Sequence, residues 1–560
     1  MATRLFGVET EYALTTLTPE GEFLNPEKVL GRLLQKTGTL FPALPDSCSS
    51  GVFLGNGSRL YIDCGQHLEL STPECADPWD IVRYIRAGDD ILTTLTRELE
   101  KENPGHEQIL IRKGNVDYSG TGTTWGCHES YMHQADPAIL PDQLIPHLVS
   151  RLIYTGAGGF DSRSPGLLFT LSPRVAHLKQ SVSDESTFCR GIFHTKNESL
   201  AKNGYHRLHL LCGESLCSER ATWLKLGITA LIVAMIEGGG RPGNTLQLKD
   251  PLASMHQFAM DPTGKVAVKT VQGITLTALD IQHHYLEQTE RYLDEPCMPS
   301  WGHKVCQEWR KILNTLQRAP ESVQHTLDWS IKLALYQNRA VQHEVPWSSL
   351  PHWTRALELL NREHFQNTDT QPNLNPATLL RQEHPYTKAK VAKKLAPILT
   401  EAGLKWEELQ PFLNLRHELF EIDTRFAQLG ETGIFAMLDQ KEVLMHHMPG
   451  VDRLTQATQH PPSVGRAKIR GTCIHQLANT PRQYTCSWTG IVDCKNNRRL
   501  NLEDPLATEE CWEALSTNQP EKEANDFFST FSHAQSPEIV VLRDRLASRL
   551  SQFRQTHPNS

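Results

Sequence analysis

The sequence has no apolar run long enough to cross a bilayer. Its longest, Ile228–Ile236, is interrupted by Thr229 and falls well short of the ~20 residues that a spanning helix requires. No positively charged start leads into an apolar segment and a small-residue cleavage site, so no secretory leader is expected. The 13 cysteines are odd in number and include no C-x-x-C pair. That excludes a regular disulfide or zinc-ribbon framework and suits a cytoplasmic protein with reduced thiols. Neither a Walker A motif nor a complete G-x-G-x-x-G occurs, and the cluster Thr155-Gly-Ala-Gly-Gly159 reads as a helix-ending turn. An excess of basic charge is also missing. The net charge of −8 argues against a dedicated nucleic-acid binder.

What is present is a chain of 560 residues, 39% hydrophobic and 21% charged, longer than one core usually supports. Residues 1–75 look β-rich, with a short helix around Pro26–Gln35. Ile81, Ile85, Ile91, Leu92 and Leu95 recur at helical spacing within Pro78–Lys101. Gln108–Lys113 and Cys127–His133 resemble further strands. Ser218 is a candidate N-cap for a buried helix that runs to Glu237 and closes at Gly238-Gly-Gly240. The chain from about 275 to 402 is mostly helical in pattern, and 405–510 reads as a smaller α/β module. Residues 511–560 form a polar tail with one helix over Pro537–Phe553.

The chemistry concentrates near the N-terminus. In Arg4-Leu-Phe-Gly-Val-Glu-Thr-Glu-Tyr12 a strand's period of two puts Glu9 and Glu11 on one face, roughly 7 Å apart. Two such carboxylates call either for a cation or for a solvated sheet edge. Arg59, Tyr61 and Asp63 share a face of a second strand, and His67, Glu69 and Ser71 form another polar row. Arginine, tyrosine, histidine and carboxylates in these rows are the groups that bind phosphate, ligate Mg²⁺ and move protons. Such strands, without a P-loop, point to a nucleotide held through metals on an antiparallel sheet. Arg207, on a third polar strand, is placed to stabilise a transferring phosphoryl group, with His209 beside it. His128 and Glu129 face opposite ways, so at most one joins the site. His446-His447 is read as a solvated loop pair, Cys212 and Cys217 as buried thiols, and Lys388–Lys394 as an exposed face.

Several segments in one order resemble the Pup ligase/Pup deamidase family: Gly7-Val-Glu-Thr-Glu-Tyr12, Asn56-Gly-Ser-Arg-Leu-Tyr-Ile-Asp63, His67-Leu-Glu-Leu-Ser-Thr-Pro-Glu-Cys75, Trp125-Gly-Cys-His-Glu-Ser-Tyr131 and Tyr205-His-Arg-Leu-His209. The resemblance implies an α+β fold: a glutamine-synthetase-like large domain, with a curved antiparallel sheet flanked by helices, and a small C-terminal α/β domain. Its division would be 1–404, with a helical insertion at about 340–410, then 405–510 and the tail. The resemblance also implies ATP and Mg²⁺ on the concave face. It makes Asp63 the catalytic base, Glu9, Tyr61 and Glu69 the metal ligands, and Arg59, Thr72 and Trp488 contacts to ATP. Glu11 becomes a secondary candidate at the rim.

The activity implied is ATP-dependent ligation of a Pup-like, ubiquitin-like modifier, through its C-terminal glutamate, to lysines of target proteins. Deamidation or depupylation by the same fold, or an inactive modifier-binding adaptor, are the alternatives. The short stretch Lys36–Val52 and the Asp63-to-His67 spacing match the ligase pattern. His194-Thr-Lys-Asn-Glu-Ser-Leu200 and Arg190-Gly-Ile depart from it.

Overall fold

The computed structural model describes residues 3–515 apart from 19–20, 22–25, 49, 103–107, 187–188, 197–199, 366–392 and 394–395. The helix expected over Pro537–Phe553, most of the lysine-rich run and the middle of the insertion lie outside these residues. The architecture is α+β. Strand β1 (Phe6–Leu17) is the axis of an eight-stranded sheet. On one side it pairs antiparallel with β5 (Leu68–Ser71), followed by β4 (Arg59–Ile62), β3 (Gly51–Leu54) and β2 (Ala43–Pro45). On the other side its two halves take different partners: β6 (Gln108–Arg112) at Ala13–Leu17, and β7 (Cys127–His133) at Phe6–Thr10. The strand His206–Leu210 completes that edge beside β7.

Helices cover the opposite face. Asp77 accepts the backbone N–H groups of Trp79 and Asp80 at 2.9 and 2.8 Å, capping helix Pro78–Glu102. Its apolar stripe of Ile81, Ile85, Ile91, Leu92 and Leu95 is buried. Ser218 is the N-cap of helix Glu219–Glu237, its hydroxyl accepting from Ala221 N, as the sequence leads one to expect. That helix is apolar all round because it lies in the centre of the core.

Helix Leu409–Phe426 packs with Phe160, Tyr336, Trp353 and Leu357 of the large body. Its Asp423 also accepts from Tyr118 at 2.7 Å and Tyr336 at 2.6 Å, and pairs with Lys332 at 2.7 Å. A boundary at 405 would cut this cluster, so we place the small domain later, at helix Gly465–Leu477 and the four short strands between Tyr484 and Ala514. Its core of Ile469, Ile474, Ile491 and Leu500 is continuous with Leu44 and Phe53 of the large sheet.

Charge fastens the two domains. Glu74, just after β5, pairs with Arg466 at 2.6 Å and with Arg470. Arg470 is itself fully buried, its guanidinium 4.7 Å from the Trp488 ring. Burial would raise the Glu74 carboxyl, but Arg470 and Arg466 hold it at about 2. A carboxylate depressed from its ordinary 4.5 contributes stability above that pH and loses it as pH falls toward 2. Glu74→Gln is therefore expected to cost on the order of 3 kcal/mol at pH 7, since it leaves two buried guanidiniums short of their partner. In urea unfolding the gap between variant and parent is expected to shrink between pH 5 and pH 3; a gap independent of pH would contradict the pairing.

Candidate active site

Register across the sheet gathers the polar rows. Glu9 stands opposite Ser71 of β5 and His128 of β7. Glu11 stands opposite Glu69, which in turn faces Tyr61, and Ser71 faces Arg59. Directly opposed residues point the same way, with Cβ atoms ~4.5–5.5 Å apart. One face therefore carries Arg59, Tyr61, Glu69, Glu9, Glu11 and His128, joined from the edge strand by Arg207 and His209.

Cations on this face are unevenly shared. Arg207 donates to Glu9 Oε1 at 2.7 Å and to Ser130 Oγ at 3.0 Å, and His209 Nε2 lies 3.3 Å from Glu9 Oε2. Burial would raise the Glu9 carboxyl, yet Arg207 and His209 hold it well below its usual range. Glu69 fares the opposite way. Burial first, then the charges of Glu9, Glu11 and Asp63, push its carboxyl well up. Its Oε1 is buried without a hydrogen-bond donor, the nearest imidazole nitrogen being His128 Nδ1 at 3.8 Å.

Asp63 sits where β4 turns into β5. His67 N–H donates to its Oδ1 at 2.6 Å, and Gln66 takes the left-handed backbone (φ 64°) that closes this turn. Burial would raise Asp63, but the His67 ring and backbone hold it below its usual value. It is consequently an ionised acceptor at neutral pH, half-buried at the edge of the face. The Thr72 hydroxyl accepts the Val8 N–H at 3.0 Å. Arg59 is clamped by Asp46 at 2.6 and 3.1 Å, its guanidinium 4.0 Å from the Tyr61 ring. Beside Glu9 a cleft opens between the sheet and the small domain, lined by Gly7, Thr72, Glu74, Arg207, Arg466 and Trp488.

The structure thus brings together every residue singled out for the site, with one change of place. Glu11 is not at the rim: paired with Glu69, it is 8% exposed and accepts the Gly126 N–H at 2.6 Å. Of His128 and Glu129, the histidine joins the face, while Glu129 is buried on the other side against Arg151 at 2.6 Å. Asp46 had no signal in its own neighbourhood, because its link to Arg59 depends on the fold of the Lys36–Val52 connection. His446 departs from its reading as a solvated residue. It is fully buried, for reasons that involve Glu219 and Asp439.

The family model for Pup-ligase protein matches residues 4–405 and 388–492. The chain belongs to the Pup-ligase family. A Pup–protein ligase of Acidimicrobium ferrooxidans is 28% identical over 518 residues, covering 91% of this chain and 97% of that protein. One from Xylanimonas cellulosilytica is 36% identical over 357 residues, or 61% of this chain and 76% of the relative. Among solved structures, the complex between prokaryotic ubiquitin-like protein Pup and its ligase PafA superposes with a TM-score of 0.66 at 21% identity, over 100% of this chain and 98% of that one. PafA in complex with ADP gives 0.61 at 23% identity, over 91% and 95%. These likenesses establish the Pup-ligase fold for the described architecture.

The face suits a hard divalent cation. Glu9, Glu11, Glu69 and Tyr61 supply oxygen donors, and the donorless Oε1 of Glu69 marks where positive charge is wanting. In chelator, Glu69→Gln is expected to raise the unfolding free energy by up to about 1 kcal/mol, because a carboxylate directly opposite another is removed. Thermal melts with added Mg²⁺ are expected to shift the parent upward and the variant far less. Equal shifts in both would contradict a cation at Glu69.

Proposed function

We propose that this chain is an ATP-dependent ligase that joins a Pup-like protein modifier, through the side-chain carboxylate of its C-terminal glutamate, to lysines of target proteins. The observation that carries this reading is the acidic sheet face, flanked on one side by the cleft lined by Trp488 and on the other by Asp63. It is supported by membership of the Pup-ligase family over most of the chain.

In this cleft Trp488 would meet the base of ATP, and the acidic face around Glu9 its phosphates. Glu9, Tyr61 and Glu69 would hold Mg²⁺, which would supply charge neutralisation for the phosphates. Arg207 is already oriented on Glu9 and Ser130, so its guanidinium balances charge on the γ-phosphoryl group as it moves. Asp46 fixes Arg59 flat over Tyr61, which limits its freedom before a phosphate arrives.

In the first step a carboxylate oxygen of the modifier's glutamate attacks the γ-phosphorus and ADP leaves, producing an acyl phosphate. In the second the lysine amine attacks the acyl carbon and phosphate departs with the electron pair of the broken C–O bond. A lysine ammonium, with an ordinary pKa near 10.4, is not a nucleophile and has to give up a proton. Asp63 is the acceptor: ionised, half-buried and braced by the His67 N–H. Its negative charge also draws the incoming ammonium to the edge of the face. Glu11 and Glu69 line the route from Asp63 to Glu9, so the two steps share one continuous acidic surface.

Asp63→Asn preserves the size of the side chain but removes its capacity to take a proton. Conjugation by this variant is expected to fall by about 10²–10⁴-fold, with ATP binding by calorimetry unchanged. Conjugation at the parental rate would refute Asp63 as the base.

A further inference from the structure

A second group of nitrogen and oxygen donors meets at the start of the central helix, away from the acidic sheet face. Glu219 is the first residue of that helix. The segment around Met445–Met448 crosses over it: Arg220 N–H donates to the His446 carbonyl at 2.9 Å, and Met448 N–H donates to Glu219 Oε2 at 3.1 Å. One donor atom from each of Glu219, His446 and His447 lies within 4.8 Å of the other two.

The fourth member is Asp439, near the end of helix Ile434–Gln440. Its Oδ1 is 2.9 Å from His446 Nε2 and 3.1 Å from His447 Nε2. A carboxylate oxygen accepts only, so it fixes both rings in the Nε2–H form and leaves each Nδ1 as an acceptor. Both turn toward Glu219. His447 Nδ1 is 3.3 Å from Glu219 Oε2, and His446 Nδ1 accepts the Glu219 backbone N–H over a long 3.4 Å, a bond that an arriving cation would displace. A histidine that offers one nitrogen inward while its other N–H rests on a carboxylate is the arrangement by which proteins orient imidazole on a metal.

Charge and spacing agree with this. Arg86 takes Glu219 Oε1 at 2.6 Å, while Oε2 accepts the Met448 N–H at 3.1 Å and keeps its second lone pair for a cation. Among the described residues, the ion pairs of Asp439 are with these two histidines. In a tetrahedral zinc site with bonds of ~2.0–2.1 Å, neighbouring donors lie about 3.3 Å apart, matching the 3.3 Å between His447 Nδ1 and Glu219 Oε2. Two imidazoles with one carboxylate select a borderline ion such as Zn²⁺ over Mg²⁺. The His447 side chain is 60% exposed, so an ion can enter from solvent and keep its fourth position open to water.

We propose that Glu219, His446 and His447 form a divalent transition-metal site of the zinc class, oriented by Asp439. Its occupation staples the chain that leads into the small domain onto the large one. The next residues of that chain are already held there: Trp79 donates to the Pro449 carbonyl at 2.8 Å and Arg83 to the Asp452 carbonyl at 2.7 Å.

Co²⁺ is the probe, because four-coordinate cobalt absorbs strongly in the visible. It would be titrated into the chelator-stripped full chain carrying Glu9→Gln and Glu69→Gln, which removes the ligands of the sheet site. One equivalent is expected to develop the band and Zn²⁺ to displace it. His447→Ala, at a half-exposed position, is expected to abolish the band, and Asp439→Asn to weaken cobalt binding about 10–100-fold. Absence of the band in the starting protein, or a band unchanged by both further substitutions, would overturn the proposal.

Discussion

The structure turns on an imbalance of charge: four carboxylates converge on one face of a sheet that supplies too few cations to satisfy them. Glu9 is satisfied by Arg207 and His209, Asp63 by the turn that ends in His67, and Glu11 in part by a backbone N–H. Glu69 has only Tyr61 and, at 3.8 Å, His128 beside it, and burial first, then the other three, push its carboxyl up. An ion-free protein holds that arrangement at a cost. A cation bound there would relieve it, so the crowding that costs stability would favour binding.

The rest of the molecule keeps the crowding in place. The helices Pro78–Glu102 and Glu219–Glu237 bury the apolar side of the sheet, fixing the register that sets Glu11 against Glu69 and Glu9 against His128. A slip of one residue would turn every one of these carboxylates into the core. On the open side, Glu74 draws Arg466 and Arg470 of the small domain over the cleft, and Arg470 in turn supports the Trp488 ring. Removing the carboxylate therefore loosens the wall of the cleft as well as the domain contact.

The sequence was most informative where the physics is local. Alternation alone places Glu9 with Glu11, and Arg59 with Tyr61, because a strand's period of two needs no partner to be read. Capping at Ser218 and the apolar stripe from Ile81 to Leu95 are equally local. The roles within the face came from family motifs, and the family itself is secure. What the chain did not disclose depends on partners distant in sequence. Asp46 reaches Arg59 only once the Lys36–Val52 connection has folded, and Glu11 becomes central only through its pairing with Glu69. His446 reads as solvated because it falls in a loop; Glu219, distant in sequence, and Asp439 hold its ring in a buried position. Packing likewise joins helix Leu409–Phe426 to the large body, through Phe160, Tyr336 and Trp353.

The most direct test of the account follows oxygen. A Pup-like modifier ending in glutamate, with ¹⁸O in the side-chain carboxylate, would be incubated with ATP, Mg²⁺, a lysine-bearing target and this protein. Mass spectrometry would then be used on both the conjugate and the released phosphate. The account predicts an isopeptide-linked product and one ¹⁸O atom in each phosphate formed, because phosphate leaves with an oxygen of the activated carboxylate. Phosphate without label, or ammonia released from a glutamine-ending modifier with no conjugate formed from the glutamate form, would contradict it.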